Sequence, residues 1–243
     1  MLCGRACARP CCEPTLRQTL TLNQHESRFI KHFATATPVI LHIEGLRFGY
    51  PQRELFTHLS ARIASGVTLV CGGDGSGKTT LLRLLAGQLP AQAGVLQVNG
   101  MQLSDRPQCY RQQVFWADPQ SETWDQLCAV DYFKSLPRLY PQFDERVLAG
   151  LIEGLSLTPH LHKPLYMLST GSKRKVWLAA AFASRATVTL LDEPFAALDK
   201  ASIGFVLDLL ADASSHPGRA WLVAHYEAPG DVPLKAIIDL DNL

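Results

Sequence analysis

Apolar positions in this sequence come in short runs, some clustered as in strands and some spaced as in helices. Pro38 opens a strand-like run, Val39-Ile40-Leu41-His42-Ile43-Glu44, and further short apolar runs follow it. They predict a small antiparallel β layer on the N-terminal side. The β-branched run Val67-Thr68-Leu69-Val70 predicts a strand, and Thr80 to Ala86 a helix with Gly87 as its C-cap. Gly94 to Gly100 reads as another strand with a turn at Asn-Gly. From Asp125 to Leu155 the spacing becomes helical, in Leu127, Val130, Phe133 and again in Val147, Leu148, Leu151, Ile152. Pro137, Pro141 and Pro159 cut that stretch into short helices. Helix and strand then alternate. A helix from about Ser172 to Ser184 leads into Val188–Leu191, and one from about Lys200 to Ala211 leads into Ala220–Ala224. A final strand covers Ala236 to Leu240. Short, continuously apolar strands separated by helices predict an α/β fold: a mostly parallel sheet flanked by helices, carrying a helical insert. Residues 1–37 show no clear period and read as a disordered tail.

Composition narrows this only a little. With 243 residues, 47% hydrophobic and 19% charged, the chain is large enough for one sizeable core. A formal net charge of +1 supplies no basic face, so no nucleic-acid partner is expected. No run approaches the roughly 18 apolar residues of a membrane-spanning helix; the longest, Val176 to Ala183, fits a buried helix. Four of the seven cysteines, Cys3, Cys7, Cys11 and Cys12, crowd the tail. Their spacing matches no familiar zinc or iron–sulfur pattern, so a mispredicted start or a disordered tail is favoured over a metal site. An odd cysteine total points to the reducing cytosol, where disulfides are rare.

The chemistry concentrates after the strand at 67–70. Gly72-Gly73-Asp74-Gly75-Ser76-Gly77-Lys78-Thr79-Thr80 fits the phosphate-cradling pattern G-x-x-x-x-G-K-[ST], between a strand and a helix as that pattern requires. Glycines let the backbone turn several N–H groups toward an anion at a helix N-terminus. Asp74 stands where its backbone matters more than its side chain, so its charge is expected to face outward. Lys78 is placed to reach the β- and γ-phosphates and the Thr79 hydroxyl to ligate Mg²⁺. The fold expected is a P-loop NTPase binding a nucleoside triphosphate. Val188-Thr189-Leu190-Leu191-Asp192-Glu193 is an apolar strand ending in two carboxylates, which a parallel sheet sets beside the loop. Asp192 is then placed to hold Mg²⁺ through water, and Glu193 to orient or deprotonate the attacking water.

With these motifs the chain resembles the ATP-binding domain of ABC-type ATPases, over about Ile40 to Leu240. Leu168-Ser169-Thr170-Gly171-Ser172 looks like the family signature L-S-G-G-Q, about twenty residues before Asp192. Ala197-Leu198-Asp199 looks like the D-loop, His225 like the switch histidine, and Tyr50 like the aromatic that stacks on adenine. The resemblance implies ATP and Mg²⁺ as cofactors. It also implies a dimer, with a second copy or a related ATPase subunit, in which Ser169 and Gly171 of one subunit contact the γ-phosphate held by the other. Asp199 would communicate across that interface, and His225 would bond the γ-phosphate and hold the water. Three features depart from the pattern. Thr170 and Ser172 replace a glycine and the glutamine of the signature, and Lys173-Arg174-Lys175 after it read as a solvated helix face. The Q-loop is irregular: Gln120 is the best candidate for its metal ligand but sits about one residue late, leaving Asp118 as the alternative. Asp74 replaces the usual Asn or Ser.

The resemblance implies an ATP-hydrolysing subunit at residues 38–243, with a helical part at about 118–180. Such a subunit energises a transporter through a separate transmembrane permease, at the cytoplasmic face of a membrane. The permease contact is expected near Ala117 to Tyr166, where Trp116, Trp124, Tyr132, Phe133, Leu139, Tyr140 and Phe143 supply mostly core and some docking surface. A soluble ABC ATPase acting on a macromolecule and a non-hydrolysing nucleotide sensor remain as alternatives. Compact length gives a further, looser resemblance to haem-exporter-type ATPase subunits. Cargo and direction are not legible.

Overall fold

In a computed structural model, which describes residues 38–118 and 121–242, these runs fold into two sheets around a helix. The tail at 1–37 with its cysteine cluster, and the Q-loop candidate Gln120, lie outside the described residues. In chain order the elements are β1 (Val39–Tyr50), β2 (Arg53–Ala64), β3 (Gly66–Cys71), α1 (Lys78–Leu85), β4 (Ala93–Val98), β5 (Met101–Gln102), α2 (Pro107–Gln113) and β6 (Val114–Trp116). There follow α3 (Ala129–Ser135), α4 (Glu145–Gly154), α5 (Thr170–Ala183), β7 (Val188–Asp192), α6 (Lys200–Ser214), β8 (Ala220–Ala224) and β9 (Leu234–Asp239). A 3-10 turn at Leu240–Asn242 closes the described chain.

The antiparallel sheet has the order β2-β1-β4-β5. β1 and β2 are joined by Pro51-Gln52, which sets Tyr50 opposite Arg53. Buried Leu41, Ile43, Phe48, Phe56 and Ile63 mark the sheet's inner face, as one-sided burial demands. Asn99 and Gly100, both at positive φ, turn β4 into β5, so the Asn-Gly signal marks this hairpin.

The second sheet is wholly parallel, in the order β6-β7-β8-β3-β9. β8 is buried along its whole length, and β3 and β7 are buried except at their last residues. That explains why these strands read as continuous apolar runs rather than alternating ones. α1 lies between the two sheets. Leu81, Leu82, Leu84 and Leu85 are all fully buried against the two sheets, while Thr79 is exposed and Arg83, one turn on, is half-buried, so only a narrow stripe of this helix meets water. Each such leucine contributes about 1.5–3 kcal/mol relative to an exposed one. Tyr110 of α2 is buried beside the end of α1 and donates its hydroxyl to Leu85 O at 2.8 Å, satisfying a helix-end carbonyl.

The other face of the parallel sheet carries a second core. Val176 to Ala183 of α5 are buried throughout and pack with Tyr132 and Phe133 of α3, Leu148 and Leu151 of α4, and Leu191, Trp221 and Val223 of the sheet. Phe182 stacks on Trp221 with ring centroids 4.6 Å apart. The helical insert therefore shares its core with the sheet, which fixes the signature segment at the start of α5 relative to the strand ends.

Candidate nucleotide site

The register of the parallel sheet aligns the strand ends that carry the chemistry. Val70 of β3 lies opposite Ala224 of β8, and Ala224 opposite Asp192 of β7. The next residues continue this line: His225 N donates to Val70 O at 3.0 Å, and Glu193 N to Ala224 O at 3.0 Å. Because the strands are parallel, the phosphate loop, Glu193 and His225 all emerge at the same edge.

The loop then folds back to start α1. Gly72 has φ +148°, and a Cβ there would sit 2.5 Å from Ser76 Oγ, so no larger residue fits that turn. Lys78 Nζ donates to the carbonyls of Gly72 at 2.8 Å and Gly73 at 3.0 Å. Beside the loop opens a cleft of about 460 Å³, within the range of small-ligand sites. Its walls are Tyr50, Arg53, Leu55, Asp74, Gly75, Gly77, Lys78, Thr79, Thr80, Asp192 and Glu193. Gly72, Gly73 and Ser76 belong to the loop but not to these walls. Asp74 is exposed at the rim. Tyr50, 44% exposed, is anchored by its hydroxyl 3.3 Å from Thr80 Oγ1, which leaves the ring available at the mouth.

Two contacts define the reactive end. Thr79 Oγ1 donates to Asp192 Oδ2 at 2.7 Å. Burial pushes the Asp192 carboxyl up from its ordinary value; the Thr79 hydrogen bond opposes this, while the neighbouring Glu193 charge adds to it. A half-buried carboxylate beside a hydroxyl is a hard-oxygen pair of the kind Mg²⁺ takes, and a cation would relieve the cost of burying that charge. The residues present thus fit Mg²⁺. His225 Nδ1 lies 2.7 Å from Glu193 Oε2. With Glu193 ionised, Nδ1 is the donor, which fixes the tautomer and steers the carboxylate. Glu193 itself has φ +45°, an uncommon conformation for a side-chain-bearing residue.

The signature segment stands apart from this cleft: Ser169, Gly171 and Asp199 are not among its walls. α5 begins at Thr170, two residues before the expected start, with Ser169 as its N-cap. Ser169 Oγ accepts from Ser172 N at 3.2 Å and donates to Ser172 Oγ at 3.0 Å. A Cβ on Gly171 would lie 2.2 Å from Ala197 O, so this glycine is where α5 meets the D-loop backbone. Asp199 caps α6 through Ser202 N at 2.9 Å. The Lys175 hydrogen bond, followed by those from Ser202, holds the Asp199 carboxyl far below the usual carboxylate range.

Lys173-Arg174-Lys175 do not form the solvated face expected from the sequence. Lys173 Nζ pairs with Asp125 and lies over the Trp177 ring. Arg174 donates to the carbonyl of Glu193 and approaches that of Asp192 at 3.5 Å. Lys175 Nζ bonds Asp199 Oδ2 at 2.6 Å. The expectation failed because α5 is surrounded by acceptors that come from other parts of the chain. Arg53 and Asp241 were also missed. Arg53 had a signal, since a two-residue turn must set it opposite Tyr50. Asp241, whose Oδ2 accepts from Gly73 N at 2.7 Å, had none. Asp118, the alternative Q-loop residue, is half-buried and is not a wall of the cleft.

Comparison with known proteins gives consistent results. The ABC transporter family profile matches residues 56–196. The cytochrome c biogenesis ATP-binding export protein CcmA of Aromatoleum aromaticum is 30% identical over 79% of this chain and 90% of its own length. The protein of the same name from Pseudomonas aeruginosa is 35% identical over 72% of this chain and 88% of its own. Among solved structures, an ATP-binding subunit of an ABC transporter superposes with a TM-score of 0.69 at 23% identity, over 76% of this chain and 79% of that one, which speaks to the fold alone.

Proposed function

The chain belongs to the ABC transporter family of ATP-binding subunits, and from that premise we propose a residue-level account of how it binds and hydrolyses ATP. The observation that carries it is the common edge where the phosphate loop, Asp192, Glu193 and His225 meet. In this reading the ATP-binding domain runs over 38–243, with its helical part at 118–180. Tyr50 stacks on adenine, and the backbone of Gly72 to Thr80 wraps the phosphates. Lys78, released from the Gly72 and Gly73 carbonyls, meets the β- and γ-phosphates. Thr79 and Asp192 hold Mg²⁺, with Gln120 as the further ligand. Bound there, Mg²⁺ would neutralise charge on the phosphate oxygens.

Glu193 takes a proton from water as the water oxygen attacks the γ-phosphorus, and the bond to the ADP oxygen breaks with its electron pair leaving on ADP. The 2.7 Å contact to His225 supports this by aiming the carboxylate. His225 in turn holds the γ-phosphate and the water in place. Lys78, Asp192, Glu193 and His225 are all present, which favours a hydrolysing enzyme over a nucleotide sensor.

For coupling, we infer a dimer in which Ser169 and Gly171 of one subunit close on the ATP of the other, and Asp199 links the two. A second cleft, of about 310 Å³, lies between β7 and α5 and is lined in part by Ala117, Tyr166, Lys173 and Trp177. Tyr166 and Met167, 58% and 62% exposed, stand next to each other beside it. This groove suits a transmembrane permease, which would hold the subunit at the cytoplasmic face of a membrane. Among the described residues no helix is long and apolar enough to cross a membrane, consistent with a separate partner. Relatives named as export proteins favour the export branch. The test is to purify Glu193→Gln with ATP from detergent-solubilised cells. It should retain ATP, lose turnover about 10²–10⁴-fold, and bring down a polytopic membrane protein. Normal turnover would remove Glu193 as the base, and a nucleic acid or soluble partner in place of the membrane protein would refute the transporter assignment.

A further inference from the structure

We propose that Asp241 is a positioning residue for nucleotide binding: its carboxylate clasps the Gly73 N–H from outside the cleft and holds the phosphate loop in its binding shape. This rests on reading Gly72 to Thr80 as the phosphate loop. The clasp is built by the sheet. β9 runs parallel to β3 with Asp239 opposite Cys71, so the chain leaving each strand emerges beside the other. Asp239 then fixes the turn that follows it. Its Oδ1 accepts from Asp241 N at 3.1 Å, and its Oδ2 from Asn242 Nδ2 at 2.7 Å. With its own backbone held, Asp241 presents Oδ2 to Gly73 N at 2.7 Å. That length suits a charge-assisted hydrogen bond.

Location decides what the bond does. Gly73 is not a wall of the nucleotide cleft, so Asp241 does not occupy a phosphate position. The Gly72-Gly73 segment is held twice, at its carbonyls by Lys78 and at the Gly73 N–H by Asp241. Lys78 is the group that phosphates draw away. The Asp241 bond then remains to tie the start of the loop to the sheet. A segment made of two glycines has a large conformational freedom to lose, so a tie present before ligand arrives lowers the ordering cost of binding. A carboxylate near phosphates also repels them through space, and the two effects have opposite signs.

The experiment measures binding of a fluorescent ADP analogue, with Mg²⁺, to the full chain and to Asp241→Ala and Asp241→Asn. The clasp predicts that Asp241→Ala binds about tenfold more weakly, equivalent to about 1.4 kcal/mol. Asp241→Asn keeps an acceptor oxygen and should fall between the parent and Asp241→Ala. In steady-state ATPase assays KM should rise while kcat stays within about twofold, a split that general loss of folding does not produce. Binding by either variant as tight as or tighter than the parent's overturns the clasp, since charge repulsion would then equal or outweigh the hydrogen bond. If Asp241→Ala does not fold, Asp241→Ser, too short to reach Gly73, is held to the same prediction. Failure of the parent chain to bind the analogue would instead overturn the phosphate-loop reading itself.

Discussion

Arg174→Ala should slow ATP hydrolysis without weakening ATP binding. Glu193 sits at φ +45° and is held at its N–H by Ala224 O, at its carboxylate by His225, and at its carbonyl by Arg174 together with Ala196 N. Removing Arg174 takes the charged donor from that carbonyl and leaves it the Ala196 N–H at 3.2 Å, so the peptide that aims the carboxylate is held less tightly. A hydrogen bond from a charged donor contributes about 1.5–3 kcal/mol. If all of that is lost from the orientation of Glu193, kcat falls about 10- to 150-fold at 1.36 kcal/mol per decade. KM for ATP should hold, because Arg174 is not a wall of the nucleotide cleft. A second signature follows from charge. Arg174 lowers the Asp192 carboxyl against the upward push of burial. Its loss lets the Asp192 carboxyl rise further, moving the acid limb of the activity profile to higher pH. The assay is phosphate release against ATP concentration and pH, with Arg174→Lys expected to recover part of the rate. In a Glu193→Gln background, Arg174→Ala should add almost nothing, since both changes act on one carboxylate. A folded Arg174→Ala with kcat within about twofold of the parent would refute this account.

Gly171→Ala should lower the melting temperature. The new Cβ would meet Ala197 O, a backbone atom that cannot swing aside. Overpacking of this kind costs about 1–3 kcal/mol, or roughly 2–12 °C in a domain of this size; an unchanged melting temperature would mean that the D-loop yields freely. Asp144 caps α4 by accepting from Val147 N and Arg146 N, and pairs with Arg185. The Val147 bond, then the Arg185 bond, hold its carboxyl below the ordinary value. A depressed carboxyl stabilises the fold fully above its unfolded value of about 3.9, and that stability is lost as pH falls through the lower folded value. Asp144→Asn should therefore flatten the fall of melting temperature below about pH 5, and equal acid slopes for the two proteins would contradict it.

The strands and helices were largely legible because each carries its own period. The short runs at 67–70, 188–191 and 220–224, apolar but for Thr68 and Thr189 and rich in β-branched residues, read as strands buried on both faces. Their carboxylates and histidine follow at the strand ends, so a parallel sheet must gather them at one edge. Tyr50 was found through the family resemblance; Arg53 was missed, although the two-residue turn that sets it opposite Tyr50 was there to be read. The basic run after the signature was misread for a physical reason. Three consecutive charges on a helix look solvated when the only neighbours considered are sequence neighbours. Asp125, the Glu193 carbonyl and Asp199 reach them from 19 to 48 residues away.

By itself the sequence determined what local chemistry dictates. A glycine-rich turn carrying Lys-Thr between a strand and a helix offers inward N–H groups at a helix N-terminus, and an apolar strand ending in Asp-Glu brings a carboxylate pair to a sheet edge. What it left open were the contacts whose partners are set by packing. Only the tertiary structure sets Gly171 against Ala197 O, turns Arg174 onto the Glu193 carbonyl and brings Asp241 to Gly73 across 168 residues. Such contacts leave no period or spacing in the chain, because each depends on strand order and register, which arise when separate apolar faces find one another.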